Sequence, residues 1–264
     1  MAPHQPLPER DARRRVPERV TEGVERVTEG VERVTERGHE AAEIVRDRVR
    51  EVKEDVKPKL RGWLHAGTSP LALAAGIVLI VLSPTLTTRV GSAIFAGSAL
   101  LLFTVSAIYH RGTWSPRTWA FLRRFDHSNI FLLIAGSYTP FTLILLHGSA
   151  RVGLLTIVWT GAVLGVLFRI FWTHAPRWVY TPIYVALGWV AIFYAGDFAD
   201  GGTAVITLIA VGGGLYTVGG LVYGLKKPDP FPTWFGFHEV FHTLTIAAFV
   251  CHYVAASLAT YRLR

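Results

Sequence analysis

His238 and His242 stand four residues apart at the head of the apolar run "FHEVFHTLTIAAFVCHY", residues 237–253. Four residues of α-helix turn through about 400° and rise about 6 Å, so both imidazoles point into one space. That is the spacing by which a helix offers two nitrogens to one metal ion. A third histidine, His110, closes a different apolar segment. Three histidines complete the usual protein ligand set of a catalytic zinc, which keeps one position open for water and brings that water's pKa to about 7. Asp126 is one of only five carboxylates beyond residue 62 and is the candidate to orient the water and accept its proton. Ser106 lies one turn before His110 on the same face and is a candidate hydrogen-bond donor to the site.

Each of these residues has a plainer use. Histidines at a membrane interface hydrogen-bond to headgroups or carbonyls, and Asp126 follows Arg123 and Arg124 closely enough for an ordinary ion pair. A serine in an apolar helix is commonly a packing residue. Glu239 points about 100° away from His238 and is a lesser candidate, as partner to a ligand. His252 falls about 15 Å along the helix from His242, which reads as packing or an outer-cavity position. His127 is expected to meet water, and His65 is set aside as a helix-end residue.

Seven apolar segments are available to carry these groups, at about 69–87, 90–110, 125–147, 152–173, 178–196, 203–224 and 235–260. Each is long enough to cross about 30 Å of hydrocarbon as a helix. Composition agrees: the chain is 51% hydrophobic with a mean hydropathy of +0.35, yet residues 1–62 hold 15 of the 27 Lys and Arg and 14 of the 19 Asp and Glu. A 202-residue body so poor in charge has lipid, not water, as its expected solvent. Its basic excess then sets orientation, and nucleic acid is not needed to explain it.

One set of loops holds Arg111, Arg117, Arg123, Arg124, Arg169, Arg177, Lys226 and Lys227, on the side of the basic tail; the opposite set holds Arg89 and Arg151, with Arg262 and Arg264 at the terminus. This bias predicts a cytoplasmic amino terminus and an outer carboxyl terminus. It also sets His110, Asp126, His238 and His242 at one depth, in the cytoplasmic half. The run "SYTPF" puts Pro140 inside the third helix, where a kink and a freed carbonyl are expected. Glycines 212–214, 219 and 220 give the sixth helix a close-packing face.

Before the first segment, the unit RVTEGVE repeats with valines at 20, 24, 27, 31 and 34, and Ala41, Val45, Val49, Val52 and Val56 continue the stripe. The 4-3-4-3 spacing predicts an amphipathic helix or thin coiled coil able to self-associate, marginal in isolation because of Gly23 and Gly30. Lying on the membrane surface is the other expected use of such a face. The first 62 residues lack an apolar run of signal-peptide type, so the first span is expected to direct insertion. Cys251, the one cysteine, excludes an intrachain disulfide.

The stretches "SAIYH" (106–110), "FDHSNIFLLIAGSYTPFTL" (125–143) and "HEVFHTLTIAAFVCHY" (238–253) resemble the three signature regions of the hemolysin III family, related to the adiponectin and progestin receptors and the alkaline ceramidases. The resemblance spans about residues 63–260. It implies a zinc held by His110, His238 and His242, Asp126 contacting the zinc's water, Ser106 nearby, and the orientation the loop charges predict. Asn129 stands where a small residue such as glycine is expected.

The sequence therefore predicts an all-α membrane protein of a cell membrane: a seven-transmembrane helix bundle over 63–264, preceded by a charged heptad-repeat tail over 1–62. Membrane lipids are the expected partners. Two functions remain open. One is a zinc-dependent hydrolase of a lipid amide or ester; the other is a lytic or receptor-like membrane protein in which zinc only ties helices together.

Overall fold

The computed structural model describes residues 22–23, 25–32, 34–35, 38, 58–172 and 175–264. The chain divides into two compact units, Met1–Lys57 and Pro58–Arg264. In the first, every described residue is helical, and Val27, Val31 and Val34 are exposed. The other members of the expected stripe, Val20, Val24 and Ala41 to Val56, lie outside the described residues.

The second unit is built of helices, α1 (Trp63–Val81), α2 (Leu86–Arg111), α3 (Pro116–Leu145), α4 (Gly148–Phe171), α5 (Arg177–Gly188), α6 (Ala195–Ala199), α7 (Thr203–Leu225) and α8 (Phe237–Tyr261), with an isolated β-bridge between Phe231 and Phe235 in the α7–α8 connection. A 3-10 segment, Trp189–Tyr194, joins α5 to α6. Counting α5 to α6 as one, seven spans among the described residues are long and apolar enough to cross a membrane. Their outer surface is oily: Phe193 is 84% exposed, Phe171 82% and Leu86 79%. Water would penalise such a belt, and hydrocarbon does not. The core is aromatic and aliphatic, with Phe95, Phe103, Phe131, Leu79 and Val158 fully enclosed.

Two span starts differ from those expected. α1 begins at Trp63, not near 69, and ends at Val81, because the link 82–85 stops it: the Ser83 hydroxyl bonds back to the Leu79 carbonyl at 2.8 Å and Pro84 follows. Thr85 then caps α2, accepting from the Thr88 amide at 3.2 Å. α3 begins at Pro116, nine residues before the apolar run, because Ser115 caps it with Pro116 at its first position. Arg117 to Arg124 thus form two polar turns of the same helix, and Asp126 sits in its third turn.

The fifth span is not one continuous helix. Pro182 and Gly188 weaken it, and the hydroxyl of Tyr138 on α3 compensates, donating to the Gly188 carbonyl at 2.5 Å and accepting from the Ala191 amide at 2.8 Å. Broken backbone at membrane depth survives where such partners exist or a cavity is lined. α3 runs through Pro140, against which Gly91 of α2 packs so closely that a methyl there would lie 3.0 Å from the proline Cα. On α7 the expected small face holds at Gly212, against His252, and at Gly219, against Phe241 and Leu244, whereas Gly213 and Gly214 have nothing near them.

Candidate metal centre

α8 starts under tight control. The Glu239 carboxylate accepts from the Gly236 amide at 2.9 Å and from the Arg61 guanidinium at 2.8 Å, and the Phe237 amide donates to Asp229 at 2.9 Å. Glu239 is fully buried, so the arginine and the amide are what make its charge tolerable. Its place is to cap α8 and to tie it to the segment before α1, rather than to contact a histidine. That segment also docks by backbone bonds from Lys59 to Thr233 at 3.1 Å and from Leu60 to Trp234 at 3.2 Å.

The clamp sets His238 and His242 opposite His110 at the end of α2. Nε2 of His238 and Nε2 of His110 are 3.1 Å apart. Ring centroids are separated by 4.7 Å for His110 and His238, 4.5 Å for His238 and His242, and 5.3 Å for His110 and His242. One nitrogen from each lies within 4.8 Å of the others. In a tetrahedral shell with zinc–nitrogen bonds of about 2.0–2.1 Å, ligand nitrogens stand about 3.4 Å apart and ring centroids about 5 Å. The triad therefore fits a single small cation. Two facing Nε2 atoms can share only one proton, and Nδ1 of His242 is buried with no partner, so the donor set gains from a cation.

Asp126 reaches the site from α3, its Oδ2 3.8 Å from Nε2 of His110 and 3.9 Å from Nδ1 of His127. The ion pair with Arg123 or Arg124 does not form. Ser106 is buried and lines the same cavity wall as Asp126. Ser106, His110, Asp126, His238 and His242 are thus one cluster at one end of the bundle. His127 corrects its expectation: it turns inward, with Nδ1 2.6 Å from the Arg123 carbonyl and Nε2 3.1 Å from the Tyr223 hydroxyl. It lies beside aromatic rings of α5 and α7, which the apolar patterning of its own helix does not reveal.

Sequence reasoning missed His65. It lies in the first turn of α1, is 2% exposed, and stacks on His242 with centroids 3.8 Å apart and planes 14° from parallel. Rings sharing a metal converge on it edge-on, so cofacial His65 is a neighbour of the ligand set and not a fourth ligand. Extending the first span one more turn toward the tail would have put His65 at the depth of His238. Asn129, unexpected in the sequence, is fully buried with neither amide atom hydrogen-bonded.

A cavity of about 380 Å³ begins at His65, Ser106, Asp126 and His242 and runs along α3, α7 and α8 as far as Phe198, Tyr216 and His252. Its walls between are largely apolar, with Leu102, Leu133, Ile134 and Ile209 among them. Trp189 and Ile192 of the broken fifth span line it and are also exposed on the outer surface, at 49% and 58%.

Residues 54–253 match the family described as Haemolysin-III related. A Hemolysin-3 homolog of Bacillus subtilis (strain 168) is 37% identical over 163 residues, covering 60% of this chain and 73% of the relative. Hemolysin-3 of Bacillus cereus is 32% identical over 180 residues, 67% of this chain and 80% of the relative. The Adiponectin receptor protein of Drosophila melanogaster is 28% identical over 188 residues, 64% of this chain and 42% of the relative.

Proposed function

Since the chain belongs to the haemolysin-III related family and is a multi-pass protein of the cell membrane, we propose that it is a zinc-dependent hydrolase of a lipid amide or ester, its site facing the cytoplasm. The observation that carries this reading is the junction of the histidine triad with an apolar cavity at Asp126, Ser106 and His242. Orientation rests on the loop charges.

His110, His238 and His242 would hold the ion. Zinc, when bound there, polarises a carbonyl and supplies a water acidified to a pKa of about 7. The chain's own residues supply the rest. Asp126 accepts the proton of the attacking water as its oxygen joins the acyl carbon, and returns it to the leaving nitrogen or oxygen as that bond breaks. Ser106, on the cavity wall with Asp126, is the residue to orient that carboxylate. The apolar cavity takes the acyl chain and excludes bulk water, and the exposed edge at Trp189 and Ile192 offers entry from the bilayer.

The test is release of fatty acid from a panel of N-acyl amides and esters by zinc-loaded protein, assayed by mass spectrometry. Wild type is expected to turn over a panel member and Asp126→Asn to retain zinc without turnover; no turnover on the whole panel with zinc present contradicts the reading. The name of the Bacillus cereus relative, Hemolysin-3, favours a second reading, in which the protein damages membranes and zinc is structural. Dye leakage from liposomes that rises with protein concentration and persists in Asp126→Asn would favour it.

A further inference from the structure

The far end of the cavity carries two polar atoms that no described residue satisfies. Nδ1 of His252 and the hydroxyl of Tyr216 are both buried without a hydrogen-bond partner, and both residues line the cavity. Their rings are neighbours, with centroids 5.5 Å apart and planes at 58°. His252 is held in place: Gly212 packs on its ring, and its Nε2 lies 3.4 Å from the Ile209 carbonyl. With that carbonyl as acceptor, Nε2 carries the proton and Nδ1 presents a lone pair. Tyr216, beside it, presents a donor. Of the other hydroxyls on the cavity wall, Ser137 bonds to the Ile134 carbonyl and Thr245 to the Phe241 carbonyl, while that of Thr181, on α5, is also buried without a partner but has no unpartnered ring nitrogen beside it.

A buried acceptor and a buried donor side by side in an apolar cavity are costly when empty-handed, and one neutral hydroxyl answers both, donating to Nδ1 and accepting from the tyrosine. A carboxylate, which only accepts, would face the Nδ1 lone pair. We propose that His252 and Tyr216 form a second subsite at the outer end of the cavity, which binds a hydroxyl on the far end of the amphiphile whose acyl carbonyl lies at the histidine triad. His242 and His252 are ten residues apart on one helix, so the two polar ends are separated by about 15 Å, roughly a dozen chain atoms. The ligand class is therefore a medium-length acyl chain hydroxylated at or near its end. This rests on the reading of the cavity as the substrate's site.

Isothermal titration of the zinc-loaded full chain in phosphatidylcholine nanodiscs with dodecanamide and with 12-hydroxydodecanamide tests it. Wild type is expected to bind the hydroxylated amide about tenfold more tightly, because the hydroxyl meets both partners. In Tyr216→Phe, which removes one oxygen, the preference should vanish or reverse, and His252→Asn should lower it likewise. Equal binding of the two amides by wild type, a preference that survives Tyr216→Phe, or no binding of either amide overturns the subsite. Binding is read apart from turnover: a hydroxyl preference without hydrolysis keeps the subsite and sinks the hydrolase reading, and hydrolysis without a preference does the reverse.

Discussion

α8 carries histidines at both ends, and the two ends behave differently. At the amino-terminal end, His238 and His242 meet His110 from α2, with the Asp126 carboxylate alongside and His65 stacked behind. Toward the carboxyl-terminal end, His252 faces Phe141 and Tyr216 and reaches only a backbone carbonyl. The helix is the same and its neighbours are not. Spacing along one helix therefore sets where imidazoles can converge, and the side chains brought by other helices decide whether they form a histidine cluster or a lone polar contact.

That contrast can be broken most severely at its proton acceptor. Asp126→Asn keeps the size of the side chain and removes the base, so hydrolysis should fall by about 10²- to 10⁴-fold while bound zinc stays at the wild-type level. Zinc lost along with activity would make Asp126 a ligand instead. Next in size is the clamp that aims the amino-terminal end. Glu239→Gln leaves Arg61 without its carboxylate and should cost about 2 kcal/mol, the arginine being partly exposed, read as a lower Tm in detergent. An unchanged Tm would remove the clamp from the account.

A smaller effect is expected from the stacked ring behind the ligands. His65→Ala should weaken zinc about two- to tenfold in chelator competition, and His65→Phe, which keeps an aromatic face, should restore most of it. Failure of the phenylalanine to restore affinity would show that a ring nitrogen, and not the stack, is what matters. The smallest effect belongs to the His252 end, where Tyr216→Phe should leave zinc content unaltered. A fall there would mean that the two ends are coupled.

Much of this was legible in the sequence because the signals were periodic. Seven apolar stretches and the His-x-x-x-His spacing depend on local pattern, and they located the spans and two of the three clustered histidines; loop charge set His110 and Asp126 at the same depth. What escaped depended on contacts between helices. His65 stood just outside the first apolar window, since Trp63 begins α1 a turn and a half before the hydrophobic run, and nothing local marks a ring that will stack on another helix. His127 read as interfacial because the residues before it are charged, yet Ser115 and Pro116 start α3 early enough to turn it inward. The break in the fifth span was hidden because the hydroxyl that sustains it comes from Tyr138, about fifty residues earlier in the chain.

The central claim is that one metal ion is held by histidines of α2 and α8 and by no other histidine of α8. Metal analysis of purified wild type, His238→Ala and His252→Ala tests it directly. Wild type and His252→Ala should each carry about one zinc per chain and His238→Ala almost none; equal zinc in all three would contradict it.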